Sequence, residues 1–196
     1  MSSGRSPAEP AASAKTPTLV ITGPSGVGKG TLIKGLLERM DGLTLAVSAT
    51  TRKPRPSEVN GIDYHFLSPE DFDLRVRDGD FVEHAEYAGN RYGTLRSELE
   101  RPGRGTVLEI DVQGARQVRE TLPDAVRIFV EPPSIDDLSR RLSARASDDE
   151  EQIARRLEAA REELAAREEF PHRIVNDDLE RATDELVELA ARVCGP

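Results

Sequence analysis

The sequence predicts an α/β fold, a mostly parallel β-sheet flanked by helices and interrupted by an inserted subdomain of mixed or antiparallel strands. Three observations predict it. Apolar runs of the buried-strand type, TLVIT (18–22), GTVLEID (105–111), VRIFV (126–130) and HRIVN (172–176), alternate with helix-like segments. A glycine-rich turn, GPSGVGKGT (23–31), joins the first run to the first helix pattern. Between residues 44 and 95 the rhythm breaks into short strands and turns, which reads as an inserted subdomain. A chain of 196 residues suits one domain with small insertions and can bury a real core.

The elements follow in order. Residues 1–16, MSSGRSPAEPAASAKT, hold almost nothing that packs and read as a disordered tail, leaving 17–196 as the folded domain. TLVIT is a buried strand. From Lys29 to about Met40, Leu32, Ile33, Leu36 and Leu37 share one helix face. Ser68-Pro69-Glu70-Asp71 starts a helix with a capping serine, a first-turn proline and acids at the positive end of the dipole, and Asp78-Gly79 ends it. FVEHAEY (81–87) turns at Gly89-Asn90 into RYGTL. GTVLEID and VRIFV are further buried strands, and Ser134 caps a short helix. Ser147-Asp148-Asp149-Glu150 fits a capping box before a long helix with Ile153, Leu157 and Leu164 inward. HRIVN is a short strand, and Asp178 to about Val193 is a last helix.

Composition excludes several classes. Charged residues make up 32% of the chain and the net charge is −9, which disfavours a uniformly basic nucleic-acid binder. A small anionic ligand in a locally basic cleft remains compatible with that charge. The one cysteine, Cys194, allows no intrachain disulfide, and His65, His84 and His172 are too scattered for a metal site. No apolar run reaches the ~18 residues of a membrane span, and no leader-like apolar core begins the chain. A cytoplasmic protein without membrane or nucleic-acid partners is the expectation.

The turn at 23–31 carries the first chemistry. Gly23-x-x-x-x-Gly28-Lys29 between strand and helix is the pattern of a P-loop, so the sheet is of the P-loop NTPase type. Its glycines let backbone N–H groups ring phosphate oxygens, the helix N-terminus adds a positive dipole end, and Lys29 reaches the outer phosphates. The candidate triphosphate site is therefore Gly23, Pro24, Ser25, Gly26, Val27, Gly28, Lys29, Gly30 and Thr31. Gly30 stands where the common pattern has a Ser or Thr whose hydroxyl ligates Mg²⁺. No direct protein ligand is assigned; a largely water-mediated Mg²⁺ is expected near Thr31 and Asp111, with Glu109 two residues back on the same strand face. In SATTRKPR (48–55), Arg52 and Arg55 stand three apart in a proline-stiffened turn. Two guanidiniums suit a bidentate grip on a phosphate monoester, though the segment alone reads equally as a solvated basic turn.

Together, GPSGVGKGT, S-x-T-T-R-x-x-R-x-x-E-x-x-G-x-D-Y-x-F (Ser48 to Phe66), G-N-R-Y-G-T (89–94), E-I-D-V-Q-G (109–114) and I-V-N-D-D (174–178) resemble the guanylate kinases, in order, from about residue 18 to 194. The segment from Ser48 to Phe66 is far more specific to that family than the P-loop. The resemblance implies a core (17–47, 96–133, 171–196), a GMP-binding subdomain (about 48–95) and a mobile helical lid (about 134–170). It implies transfer of the γ-phosphoryl group of ATP to GMP with Mg²⁺, dGMP being a further candidate acceptor. Arg52, Arg55, Tyr64 and Tyr92 would hold the GMP phosphate; Ser48, Glu83 and Thr94 would read guanine; Asp111 would lie near GMP and the metal. Arg145 and Arg156 would swing in with the lid, and Asn176 would sit by adenine. Lys29, Arg52, Asp111, Arg145 and Arg156 are thus the candidate catalytic set. Of the other charges of the lid helix, Glu151, Arg155, Glu158, Arg161, Glu162 and Glu163, most are expected to be surface ion pairs.

The sequence departs from the family pattern at Gly30, at Ala146-Ser147 in place of Gly-Thr, and at Glu109 in place of a shorter Asp. Two rival readings stand beside the kinase: a catalytically inactive phosphopeptide-binding module of the same fold, and a kinase of another phosphorylated small molecule. A monomer and a small homo-oligomer are both open.

Overall fold

The computed structural model describes residues 16–87, 89–143 and 150–195. Residues 1–15 of the expected tail, residues 147–149 of the capping box, Ala146 and Arg145 lie outside the described residues. A five-stranded, wholly parallel sheet carries the core. Its strands are β1 (Thr18–Thr22), β2 (Leu43–Leu45), β7 (Gly105–Glu109), β8 (Val126–Glu131) and β9 (His172–Val175), in the order β2-β7-β1-β8-β9. Successive side chains of a strand point to opposite faces, and the central strands are apolar on both. Leu19 and Ile21 of β1, Val107 of β7, and Ile128 and Val130 of β8 pack on one face with Leu32, Ile33 and Leu36 of α1 (Lys29–Arg39) and Ala182, Leu186 and Ala190 of α6 (Leu179–Cys194). Val20, Leu108 and Phe129 point the other way, toward Ala115 and Val118 of α3 (Val112–Thr121) and Phe170.

The second sheet is built from residues 49–95. Its order is β4 (His65–Phe66), β3 (Ala49–Thr50), β6 (Asn90–Leu95), β5 (Phe81–Tyr87). β3 pairs parallel with β4, and β6 runs antiparallel to both β3 and β5, so the insertion is mixed. Helix α2 (Pro69–Asp78) closes it over a small core of Ala49, Phe72, Phe81 and Leu95. The cap of α2 is the one expected: the Ser68 hydroxyl accepts from the Asp71 N–H at 3.0 Å. Buried Glu98, in a 3₁₀ turn at Arg96–Glu100, accepts from the Val47 N–H at 2.9 Å and lies 2.8 Å from His65 Nε2. It ties the chain entering the insertion to the chain leaving it.

Two further helices, α4 (Ile135–Ser143) and α5 (Glu150–Ala165), pack through Leu138, Leu142, Leu157 and Ala160. Ala160 is the most buried of these on α5; Ile153, Leu157 and Leu164 are half-buried. Among the described residues no helix is long and apolar enough to cross a membrane.

One expectation changes. The run GTVLEID ends as a strand at Glu109, so Asp111 is not on a strand face with it. Asp111 is the N-cap of α3, its Oδ1 accepting from the Gly114 N–H at 2.8 Å. The capping bond outcompetes strand continuation because it satisfies an otherwise orphaned helix N–H.

Candidate active site

The C-terminal ends of the parallel strands open into a cleft of about 660 Å³, lined from the core by Gly23, Lys29, Thr31 and Asp111 and from the insertion by Tyr64 and Glu83. This is where an open α/β sheet binds ligands, at the point where chain order reverses about β1.

The loop after β1 is held from behind. Val27 is fully buried in the core, and its carbonyl accepts from Asn176 Nδ2 at 2.8 Å and from an Arg141 guanidinium N–H at 3.1 Å. Arg141 also donates to the Asn176 carbonyl at 2.7 Å. Gly28 caps α1 at φ 100°, and a Cβ there would lie 2.6 Å from Asn176 Nδ2. Left-handed backbone and close approach both require glycine. Asn176 therefore supports the loop and is not among the residues lining the cleft. Arg141 lies three residues after Leu138, on the buried stripe of α4, and that spacing was the signal for it.

Lys29 Nζ donates to the Gly23 carbonyl at 2.6 Å and to Pro24 at 3.2 Å. Burial lowers its pKa, opposed by the charges of Glu109, Glu163 and Asp111. The ammonium thus sits over the loop amid three carboxylates. Thr22, at the end of β1, donates to the Ile110 carbonyl at 2.7 Å and fixes the turn that carries Asp111.

From the insertion, Ser48, Tyr64, Glu83 and Tyr92 reach the cleft. Glu83 is 5% exposed, and the Thr94 hydroxyl donates to its Oε1 at 2.7 Å. Burial, with a smaller push from Asp111 and against the Thr94 bond, raises its pKa to about 7. Tyr64 and Tyr92 meet edge-on with ring centroids 6.2 Å apart. Arg52 and Arg55 do not line the cleft themselves. The Arg52 guanidinium lies 5.3 Å from the Tyr64 ring centre and forks onto both oxygens of Glu58, at 2.8 and 3.0 Å. Arg55 is exposed, its guanidinium 3.8 Å from the same carboxylate. The Arg52 hydrogen bond holds the Glu58 carboxyl below its ordinary range. Glu58 is the acid of the R-x-x-R-x-x-E run, and its job of orienting Arg52 was not read from the sequence.

From α5, an Arg156 N–H donates to Ser25 Oγ at 2.9 Å. The Arg161–Glu158 pair is exposed as expected, but Glu163 is not a surface acid. It lines the cleft and accepts from the Ser25 backbone N–H; burial raises its pKa, against the opposing charge of Lys29. Helix packing decided which acid of Glu162-Glu163 faces inward. Tyr87 and Asp63 also line the cleft and went unassigned.

For Mg²⁺ the donor set is hard oxygen: Thr31, Glu109 and Asp111 face the cleft around Gly30. A Cβ on Gly30 would stand 3.8 Å from Glu109 Oε2, so the position is open toward that carboxylate. Such a set fits an ion that keeps several waters and leans on phosphate oxygens.

Comparison with known proteins bears on this arrangement. The family model described as guanylate kinase matches residues 15–192. The guanylate kinase of Rubrobacter xylanophilus is 51% identical over 178 residues, 89% of this chain and 93% of its own. That of Synechococcus sp. (strain CC9311) is 53% identical over 170 residues, 85% of this chain and 90% of its own. The crystal structure of guanylate kinase from Anaplasma phagocytophilum superposes with a TM-score of 0.72 at 31% identity, covering 91% of this chain and 86% of that one.

Proposed function

Since the chain belongs to the guanylate kinase family, we propose that it is an ATP:GMP phosphotransferase, giving ADP and GDP, and that the cleft is where this occurs. The observation that carries the reading is a buried carboxylate, Glu83, opposite a glycine-rich phosphate loop across one cleft. Guanine presents N1–H and its 2-amino group side by side, and a carboxylate accepts both. Adenine presents an unprotonated N1 there, and a site built for hydrogen bonds rejects such a mismatch by ~10⁴ or more.

Ser48 and Thr94 complete the guanine site, Thr94 by holding Glu83. Arg52, Arg55, Tyr64 and Tyr92 take the GMP phosphate, with Glu58 keeping Arg52 in its fork. The acceptor needs no strong general base: its second pKa is near ~6, so it is mostly dianionic at neutral pH. The work is to bring two anionic groups into line and screen their repulsion. Lys29 and the loop N–H groups do this for the triphosphate. Arg156, already on Ser25, stands beside the loop; Arg145 is assigned the same work by the family pattern. Thr31, Glu109 and Asp111 would hold Mg²⁺ mostly through water, and the ion when bound neutralises charge on the phosphates. Asn176 serves ATP through the shape of the loop it supports. The region 48–95 acts as the GMP subdomain and 134–170 as the lid. A cytoplasmic location and dGMP as a second acceptor belong to the same reading.

Chromatography of ATP, Mg²⁺ and GMP with the protein tests this. GDP and ADP in equal amounts support it. Binding of GMP without GDP formation favours the non-catalytic module, and turnover of a sugar phosphate in preference to GMP favours the other kinase.

A further inference from the structure

The guanine-facing carboxylate is held by a helix of the core as well as by its own sheet. Glu83 lies on β5, an edge strand of the second sheet, with β6 on one side only. On the open side stands α3. The Gln117 side-chain amide does there what a neighbouring strand would do: its Oε1 accepts from the His84 N–H at 3.0 Å and its Nε2 donates to the His84 carbonyl at 2.7 Å. One turn on, the Thr121 hydroxyl donates to the Val82 carbonyl at 3.0 Å. Both chain neighbours of Glu83 are thus pinned to one helix.

The third contact is an absence. Gly114 precedes Gln117 by three residues and Thr121 by seven, so all three share one face of α3. A Cβ on Gly114 would lie 2.5 Å from Glu83 Oε2 and 3.1 Å from Cδ. The other oxygen, Oε1, is held by Thr94. The carboxylate therefore fills the notch that the missing side chain leaves, while the Gly114 N–H is spent on Asp111. An alanine there forces the carboxylate to move by roughly 1 Å to reach ordinary contact. The backbone conformation of Gly114 is ordinary helix, so the glycine is required by space alone.

We propose that α3, through Gly114 and Gln117, is a positioning device for acceptor selectivity: it sets where the Glu83 carboxylate meets the purine edge. The proposal rests on the reading of Glu83 as the guanine acceptor. Because α3 begins at Asp111, the same helix sets the distance between the purine reader and the phosphate-transfer end of the cleft.

The test compares Gly114→Ala, Gln117→Leu and Glu83→Ala by steady-state kinetics with GMP and AMP, and adds Gly114→Ala/Glu83→Asp. Alanine is the better helix former, so Gly114→Ala is expected to keep its melting temperature and its KM for ATP. Its KM for GMP should rise tenfold or more and its preference for GMP over AMP should fall, with kcat at saturating GMP changed far less. Gln117→Leu should raise KM for GMP several-fold. Shortening the acid relieves the overlap, so Glu83→Asp in the Gly114→Ala background should do less harm than in wild type. That sign of coupling is one that a general loss of structure does not give. Wild-type KM for GMP and wild-type GMP:AMP preference in both Gly114→Ala and Gln117→Leu, while Glu83→Ala loses GMP, would overturn the proposal and leave the Glu83 reading intact. An unchanged Glu83→Ala would overturn the Glu83 reading itself. If Gly114→Ala does not fold, Gln117→Leu decides by the same readouts.

Discussion

Replacing Glu83 by Gln should make the folded protein more stable at pH 8 while removing the carboxylate proposed to read guanine. The buried carboxyl titrates near 7 in the fold against an ordinary 4.5. At ~1.4 kcal/mol per pKa unit, the ionised form costs the native state about 3 kcal/mol. The direction is opposite to that of a salt-bridged acid. Between pH 4.5 and 7 the folded chain holds the proton that the unfolded chain has released, so raising the pH through this window favours unfolding. Below pH 4.5 both states are protonated and there is no penalty; above 7 the full penalty applies. Gln keeps an oxygen for the Thr94 hydroxyl and carries no charge. Urea unfolding of wild type and Glu83→Gln across pH 4.5–8.5 reads the difference directly. The variant is expected to match wild type near pH 4.5 and to exceed it by up to about 3 kcal/mol at pH 8. A difference that stays flat with pH, or a variant less stable than wild type at pH 8, would refute the reasoning that burial strains this carboxylate.

Three further outcomes follow from the geometry. Gly30→Ser fits the space toward Glu109 and should lower the Mg²⁺ concentration giving half-maximal rate while leaving KM for GMP unchanged; an unchanged metal titration counts against a water-mediated ion. Glu58→Gln removes the charge that orients Arg52 and should raise KM for GMP about tenfold or more, read in the same assay, with KM for ATP unaffected. Asn176→Ala strips a buried hydrogen bond from the Val27 carbonyl and should cost about 1–3 kcal/mol in urea unfolding, with KM for ATP rising more than KM for GMP.

What the sequence made legible was what local chemistry decides. Continuous apolar runs placed β1 and β8, which are covered on both faces, and a 3.6-residue pattern placed α1, which buries one face. Ser68, Ser134 and Asp178 announced helix starts through their own hydroxyl or carboxylate, and all three caps form. Helix α3 went unnamed because VLEID reads as strand through Asp111, and the stripe of Val112, Ala115 and Val118 is short and set among charged residues. The orientation of Glu163 was illegible for a different reason. Its helix sets acids beside bases around the apolar stripe of Ile153, Leu157 and Leu164, and only packing against the loop selects the acid that meets Ser25. The Arg52–Glu58 fork needs the turn between them before the two side chains can meet. Asn176 was placed by its motif beside ATP; its side-chain amide also holds the back of the loop through the Val27 carbonyl, a contact 149 residues distant in the chain that no local pattern reports.

The most direct test of the account is ADP release from ATP and Mg²⁺ with GMP, AMP, CMP or UMP as acceptor, for wild type beside Lys29→Ala and Glu83→Ala. The account predicts turnover with GMP above all others, lost in both variants: in Lys29→Ala because the triphosphate loses its cation, in Glu83→Ala because the purine loses its acceptor pair. Equal turnover of AMP and GMP by wild type, or full GMP activity in Glu83→Ala, would contradict it.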